Sequence, residues 1–300
     1  MVSIWLFHRD ADQVMSKMAL NGLRCSRGAG ILFALLLCLP AYCSQQPDED
    51  AHDLVATMVS NELKAQKIQS YWMYREINQE AGNTEVKIVL ETRECWLTWF
   101  LSFNGKPVSP EQQNRQNRDL QRLVNDPNAR RKSRAAIDED AKKAIALLKI
   151  LPDAFVFTRN GEQGDLIRVN FRPKPNFKPP SREAKVFHSM EGSLLIHARG
   201  KRLAKLNGRL TADVTFGGGI LGRIYKGGTV EVGQTEVAPG DWELSLLDVH
   251  ISGRALFFKT IREQQHQVKT HFRPVPPGLS LAQAAALLER QGRQMAAASQ

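Results

Sequence analysis

TEVKIVLE, residues 84–91, alternates along its length: Val86, Ile88 and Leu90 are apolar, while Glu85, Lys87 and Glu91 are charged. A period of two puts the apolar side chains on one face of a strand and the charged ones on the other. Before it, residues 71–77 read as a strand, and Ala81-Gly82-Asn83 is a turn signal between the two. After it, residues 95–103 form a denser apolar strand with Trp96, Trp99, Phe100 and Phe103, ended by Asn104-Gly105-Lys106-Pro107.

Past Pro152 the same kind of segment recurs at 155–158, 166–171, 184–188, 192–198, 203–214, 228–237, 241–251 and 256–272. Turn signals separate these segments at Asn160-Gly161, Arg199-Gly200-Lys201, Gly227-Gly228, Pro239-Gly240 and Ser252-Gly253. Short strands with regular turns predict an antiparallel meander rather than parallel βαβ units. RPKPNFKPP, residues 172–180, has four prolines in nine positions and predicts an extended connector across the surface or an edge. The run Phe216-Gly217-Gly218-Gly219-Ile220-Leu221-Gly222 lacks the Gly-Lys-Ser/Thr ending of a phosphate cradle and predicts a tight turn or bulge.

Three helical regions interrupt the strands. Residues 48–66 place Leu54, Met58 and Leu63 near one face. Residues 109–151 form a helical insertion. Ser109-Pro110-Glu111-Gln112 opens it as a capping box with proline at the first position, Asn125-Asp126-Pro127 restarts it, and it ends before Pro152. Ser280, with Gln283 three residues on, caps a last helix, and residues 290–300 form a frayed tail. The fold class is therefore α+β, mostly antiparallel β, in one domain over 45–276 with the insertion at 109–151, followed by a C-terminal helix and tail over 277–300.

The N-terminal stretch addresses the protein. ILFALLLCL, residues 31–39, follows Arg24 and Arg27 and precedes Ala41-Tyr42-Cys43. A basic lead, a short apolar run and small residues at −3 and −1 of a cut make an export signal. Nine apolar residues fall well short of the about 20 that span a bilayer. Residues 1–44 are expected to be removed, with Met15 or Met18 as alternative starts, leaving a periplasmic or secreted chain without a transmembrane segment. Of 41 Lys and Arg against 31 Asp and Glu, the leader holds four and two, so 37 face 29 in the remainder and the net charge is +8. Export disfavours nucleic acid as a partner. A basic exported surface suits an anionic membrane, and residues 115–149, with ten basic and five acidic side chains, are either that surface or a solvated helical face. Cys95 is the one cysteine beyond the leader, so no internal disulfide is available and a buried inert thiol is expected.

No segment carries a recognisable reaction. There is no HExxH, no nucleophile elbow and no paired-cysteine metal spacing. Asp248 and His250 share a strand face, a pattern that would need a further converging ligand to hold a metal. The remaining clue is the apolar strand faces. A sheet curled around helices encloses an apolar cavity fit for acyl chains, with Ile88, Leu90, Trp99, Leu206, Leu210, Val249 and Ile251 as wall residues; plain core packing is the alternative.

One helix, a strand meander, a helical excursion, further strands and a late helix, over roughly residues 53–272, resembles the Lol-type (LolA/LolB-like) lipoprotein-carrier superfamily. That resemblance implies an incomplete, half β-barrel closed by helices on its concave face, with an apolar cavity for lipid. Leu151-Pro152-Asp153-Ala154-Phe155, Pro179-Pro180-Ser181-Arg182-Glu183-Ala184 and Phe216 to Gly222 are similar to strings of an uncharacterised family of secreted bacterial proteins, which brings no activity. The expected function is a non-catalytic envelope protein that binds lipid or lipoprotein acyl chains without a cofactor or metal. The alternative is an envelope assembly protein that binds another protein and has a filled core.

Overall fold

The computed structural model describes residues 49–68, 70–255 and 259–298. The leader at 1–44 lies outside the described residues, as does part of the strand expected at 256–272. In chain order the elements are α1 (Glu49–Ala65), β1 (Trp72–Glu80), β2 (Asn83–Glu91), β3 (Trp96–Phe103), β4 (Lys106–Pro107), α2 (Pro110–Asn125), α3 (Pro127–Ala154), β5 (Phe155–Gln163) and β6 (Leu166–Pro173). They continue as α4 (Arg182–Phe187), β7 (Met190–His197), β8 (Leu203–Leu210), β9 (Val214–Phe216), β10 (Gly222–Ile224), β11 (Thr229–Ala238), β12 (Asp241–Ala255), β13 (Lys259–Pro274) and α5 (Leu281–Ala298).

All described strands join one open antiparallel sheet, in the order β4-β3-β2-β1-β13-β12-β11-β8-β7-β6-β5. The short β9–β10 hairpin, turned by Gly217–Gly219, docks on β12. The class is α+β with a sheet consistent with a half-barrel. The sheet does not close: β4 and β5 are its two edge strands, and the chain passes from one to the other through the helical insertion.

The pairing register fixes which side chains share a face. Leu206 faces Val232, Val232 faces Leu247, Leu247 faces Gln267, Gln267 faces Asn78 and Asn78 faces Glu85. This inner face carries the larger core on β5–β8, β11 and β12, covered by Val55 and Met58 of α1, Leu151 of α3 and Val186 of α4. The opposite face carries Ile88, Leu90, Leu97 and Trp99, covered by Leu120 of α2 and by Ala284, Ala285 and Leu288 of α5. The insertion therefore serves both faces: α2 packs outside and α3 inside. Each fully buried leucine or phenylalanine in these cores contributes about 1.5–3 kcal/mol.

Several boundaries differ from the sequence reading. Residues 184–188 are not a strand. Ser181 accepts a hydrogen bond from the Ala184 N–H and caps α4, which buries Ala184 and Val186; alternate burial over so short a window fits a helical turn as well as a strand. The insertion helix runs past Pro152 to Ala154; Pro152 has no N–H to give the Leu148 carbonyl, and the helix ends two residues later. β5 continues through Asn160-Gly161 with a bulge between Arg159 and Glu162. β12 runs straight through Ser252-Gly253: a Cβ on Gly253 would sit 2.4 Å from the Arg223 carbonyl oxygen, so this glycine allows β10 to approach rather than making a turn. The expected strand at 203–214 is two, β8 and β9. The tail is not frayed from residue 290; α5 is helical to Ala298, held by its Ser280–Gln283 capping box.

Candidate functional site

A narrow slot lies between the inner face of the sheet and the helices over it. Leu147, Leu148 and Leu151 of α3 form its roof with Val186 and Phe187 of α4. Leu203 and Leu206 of β8 and Val230 and Val232 of β11 form its floor. The floor follows from period two in the strands, and the roof from leucines at helical spacing. The void with its mouth measures about 860 Å³, within which a water molecule's centre has only about 70 Å³ to move.

Polar groups gather at the end where β8 begins. Glu62 of α1 is 4% exposed and Arg202 is 7% exposed. The guanidinium donates from Nε to Glu62 Oε1 at 2.8 Å and from Nη2 to Oε2 at 3.2 Å, and its Nη1 donates to the Gly240 carbonyl at 3.1 Å. The Leu203 N–H donates to Glu62 Oε1 at 2.9 Å. Gln234 donates its amide to Glu62 Oε2 at 3.5 Å, while its own Oε1 is buried without a hydrogen-bond partner. This fork-to-fork pair anchors α1 to the sheet.

A second cavity adjoins the first and shares Glu62 and Gln66 with it. Its walls hold Tyr71, Trp96 and Trp242 together with Glu91, Asp241 and Glu243. Behind it, Lys269 donates to the Tyr74 hydroxyl at 3.2 Å and lies 5.7 Å from the Trp96 ring centre. Burial pushes the Glu91 carboxyl up; the Lys269 charge pulls it down and the Glu243 carboxylate raises it again. Burial, with the charges of Glu91, Glu76 and Glu243, drives the Tyr74 hydroxyl well above its usual range.

A carboxyl whose pKa is raised by folding holds its proton more tightly in the folded chain. Its contribution to stability is therefore greatest at acid pH and is lost as pH rises through the raised pKa. Glu91→Gln keeps the uncharged shape at every pH. In urea titrations the variant should gain on the natural chain as pH rises above about 4, the ordinary carboxyl range, and the gain should level off once pH has passed the raised pKa.

Of the wall residues expected from the sequence, Leu206 lines the slot. Leu210, Val249 and Ile251 lie in the same inner core, buried beside it. Ile88, Leu90 and Trp99 sit on the opposite face under α2 and α5. The pair Asp248 and His250 is brought together at 3.2 Å, and His266, across the ladder on β13, meets the other carboxylate oxygen at 2.9 Å. These three lie on the face away from the slot. Among the described residues no group of three or more His, Cys, Asp and Glu side chains is arranged to hold a metal. Cys95 is buried, and that burial raises its thiol pKa. No helix among the described residues is long and apolar enough to cross a membrane.

No family model matches the chain, and no curated protein matches it. Among solved structures it is similar to a DUF1329 family protein from Desulfovibrio piger, with 10% identity, a TM-score of 0.27, and coverage of 81% of this chain and 100% of that chain.

Proposed function

We propose that this protein is an exported, non-catalytic carrier that holds acyl chains of lipids or lipoproteins in the inner-face slot. The observation that carries this reading is the slot itself, roofed by leucines and floored by valines and leucines, with polar side chains collected at one end. Each methylene moved there from water contributes about 0.8 kcal/mol, so a long chain binds without any directional contact. The apolar leader at 31–39 supports export. The basic α2–α3 insertion supports approach to an anionic membrane surface, where Lys and Arg side chains draw the carrier to its cargo. The layout shared with Lol-type carriers points the same way.

The test is native mass spectrometry of the full chain after export and processing by a bacterial host. A discrete adduct that releases acyl chains on extraction is expected. Leu206→Trp fills the slot from its floor and should lower occupancy at least tenfold while leaving the urea midpoint within experimental error. A clean apo mass that persists after incubation with phospholipid and lipopeptide would sink the carrier reading, and pull-down of an envelope partner would then be the informative measurement.

A further inference from the structure

The inner face of the sheet changes character at its β1–β2–β13 end. Toward the β1–β2 turn it carries Glu76, Asn78 and Glu80 of β1, Glu85 and Lys87 of β2, and Glu263 and Gln265 of β13. Period two along each strand puts these side chains on one face. Four are carboxylates and one is an ammonium. Lys87 is committed to Glu76 at 3.0 Å and to Glu85 at 3.6 Å. Lys269, further along β13, is committed to the Tyr74 hydroxyl. Glu80 and Glu263 therefore stand without a cation among the described residues.

The register brings these two together. Glu80 faces Gln265 across the β1–β13 ladder, and Glu263 is two residues from Gln265 on the same face, which makes it the diagonal neighbour of Glu80. Diagonal neighbours in an antiparallel pair are about 7–8 Å apart, within reach of two glutamates that lean together. Glu80 receives a hydrogen bond from Asn78 Nδ2 at 3.4 Å. Glu263 lies beside Ile251 in the β12–β13 ladder. Burial and the Glu80 charge both push its carboxyl up. Gln265 supplies the independent sign of a ligand. It is 4% exposed, its Nε2 donates to Asn78 Oδ1 at 3.2 Å, and its Oε1 is buried without a hydrogen-bond partner. Asn78 lies on one side of Gln265 along the sheet and Glu263 on the other, so the amide that turns its nitrogen to Asn78 turns its oxygen toward the carboxylate pair. A proton shared by the two glutamates leaves that oxygen unmatched, whereas a cation serves all three groups.

We infer that Glu80, Glu263 and the side-chain oxygen of Gln265 form a calcium site that ties β1 to β13. The donor set is oxygen alone, which suits a hard cation rather than a transition metal. Its third ligand is an amide, so groupings of His, Cys, Asp and Glu alone do not contain it. Calcium accepts irregular sets of oxygens and completes its shell with water, while magnesium demands a near-ideal octahedron that side chains from two strands do not supply. The site is separate from the slot and does not rest on the carrier reading.

The test is calorimetric titration of calcium chloride into the exported chain after it has been stripped with EDTA. One calcium per chain is expected, with a dissociation constant of about 0.1–1 mM, the range of extracellular sites. Magnesium should bind at least tenfold more weakly. Glu263→Gln keeps the shape and removes one charge, so it should weaken calcium binding at least tenfold. In EDTA the same variant should melt no lower than the natural chain, because the repulsion from Glu80 is gone; a glutamate with a purely structural role would lower the melting temperature instead. Glu111→Gln, on the exposed face of α2, should leave the affinity within twofold. No calcium heat up to about 10 mM, ten times the weakest expected constant, would overturn the site. Equal binding of magnesium, or an unchanged calcium affinity in Glu263→Gln, would overturn it as well.

Discussion

Arg202→Met should destabilise the protein by about 3–5 kcal/mol, because it leaves the Glu62 carboxylate buried without its partner. Both side chains are almost wholly enclosed, and the carboxylate accepts from Arg202, Leu203 and Gln234 together. Removing the guanidinium cancels the charge that balances it and leaves the desolvation cost in place. The double variant Glu62→Leu with Arg202→Met is the informative comparison: with neither charge buried, it should be less destabilised than Arg202→Met alone. It will not reach the natural stability, since the Leu203 N–H and the Gly240 carbonyl lose their partners. Urea unfolding of the three variants, read as midpoints at constant slope, measures the coupling. A single variant within about 1 kcal/mol of the natural chain would show that water reaches the pair and that α1 is not held by it.

Gly192→Ala should cost about 3 kcal/mol or more, the upper range for forcing extra volume into a packed interior. Gly192 faces Gly208 in the β7–β8 ladder. A Cβ there would lie 1.8 Å from the Asn207 carbonyl oxygen and 2.8 Å from its carbon. Both atoms belong to backbone, so no rotamer change relieves the contact and the two strands must separate. Gly208→Ala is the matched control. Its Cβ would meet Met190 Sδ at 3.3 Å, the end of a flexible side chain, and should cost under about 1 kcal/mol. Thermal unfolding of the pair decides the point: equal losses would mean that the strands are already loosely joined there.

How much of this was legible in the sequence depends on the range of the interaction. Alternation in TEVKIVLE identifies a strand, and the Ser109–Gln112 and Ser280–Gln283 boxes mark two helix starts, because each signal is confined to a few residues. What a strand pattern cannot reveal is which face belongs to which core. Ile88, Leu90 and Trp99 look like the companions of Leu206 and Val249, yet five successive registers across the sheet put them on the other side. Glu62 and Arg202 gave no signal at all: they lie 140 positions apart, and nothing near either residue announces a buried partner. His266 was invisible beside Asp248 and His250 for the same reason. The slot follows from how α3 and α4 cross the sheet, which no local pattern encodes.

The ladder between β1 and β13 sets the order of events when the chain folds. Its register pairs Trp72 with Pro274 and Met73 with Arg273, and the Lys269 side chain donates to the Tyr74 hydroxyl, 195 positions away. Hairpins β1–β2–β3, β5–β6 and β7–β8 close over short loops and can form early, whereas joining β1 to β13 must first draw together the two ends of the domain. Until residue 274 has emerged, β1 presents an unpaired edge to any neighbouring chain. The slowest kinetic phase of refolding and the window of greatest aggregation risk are therefore the same interval.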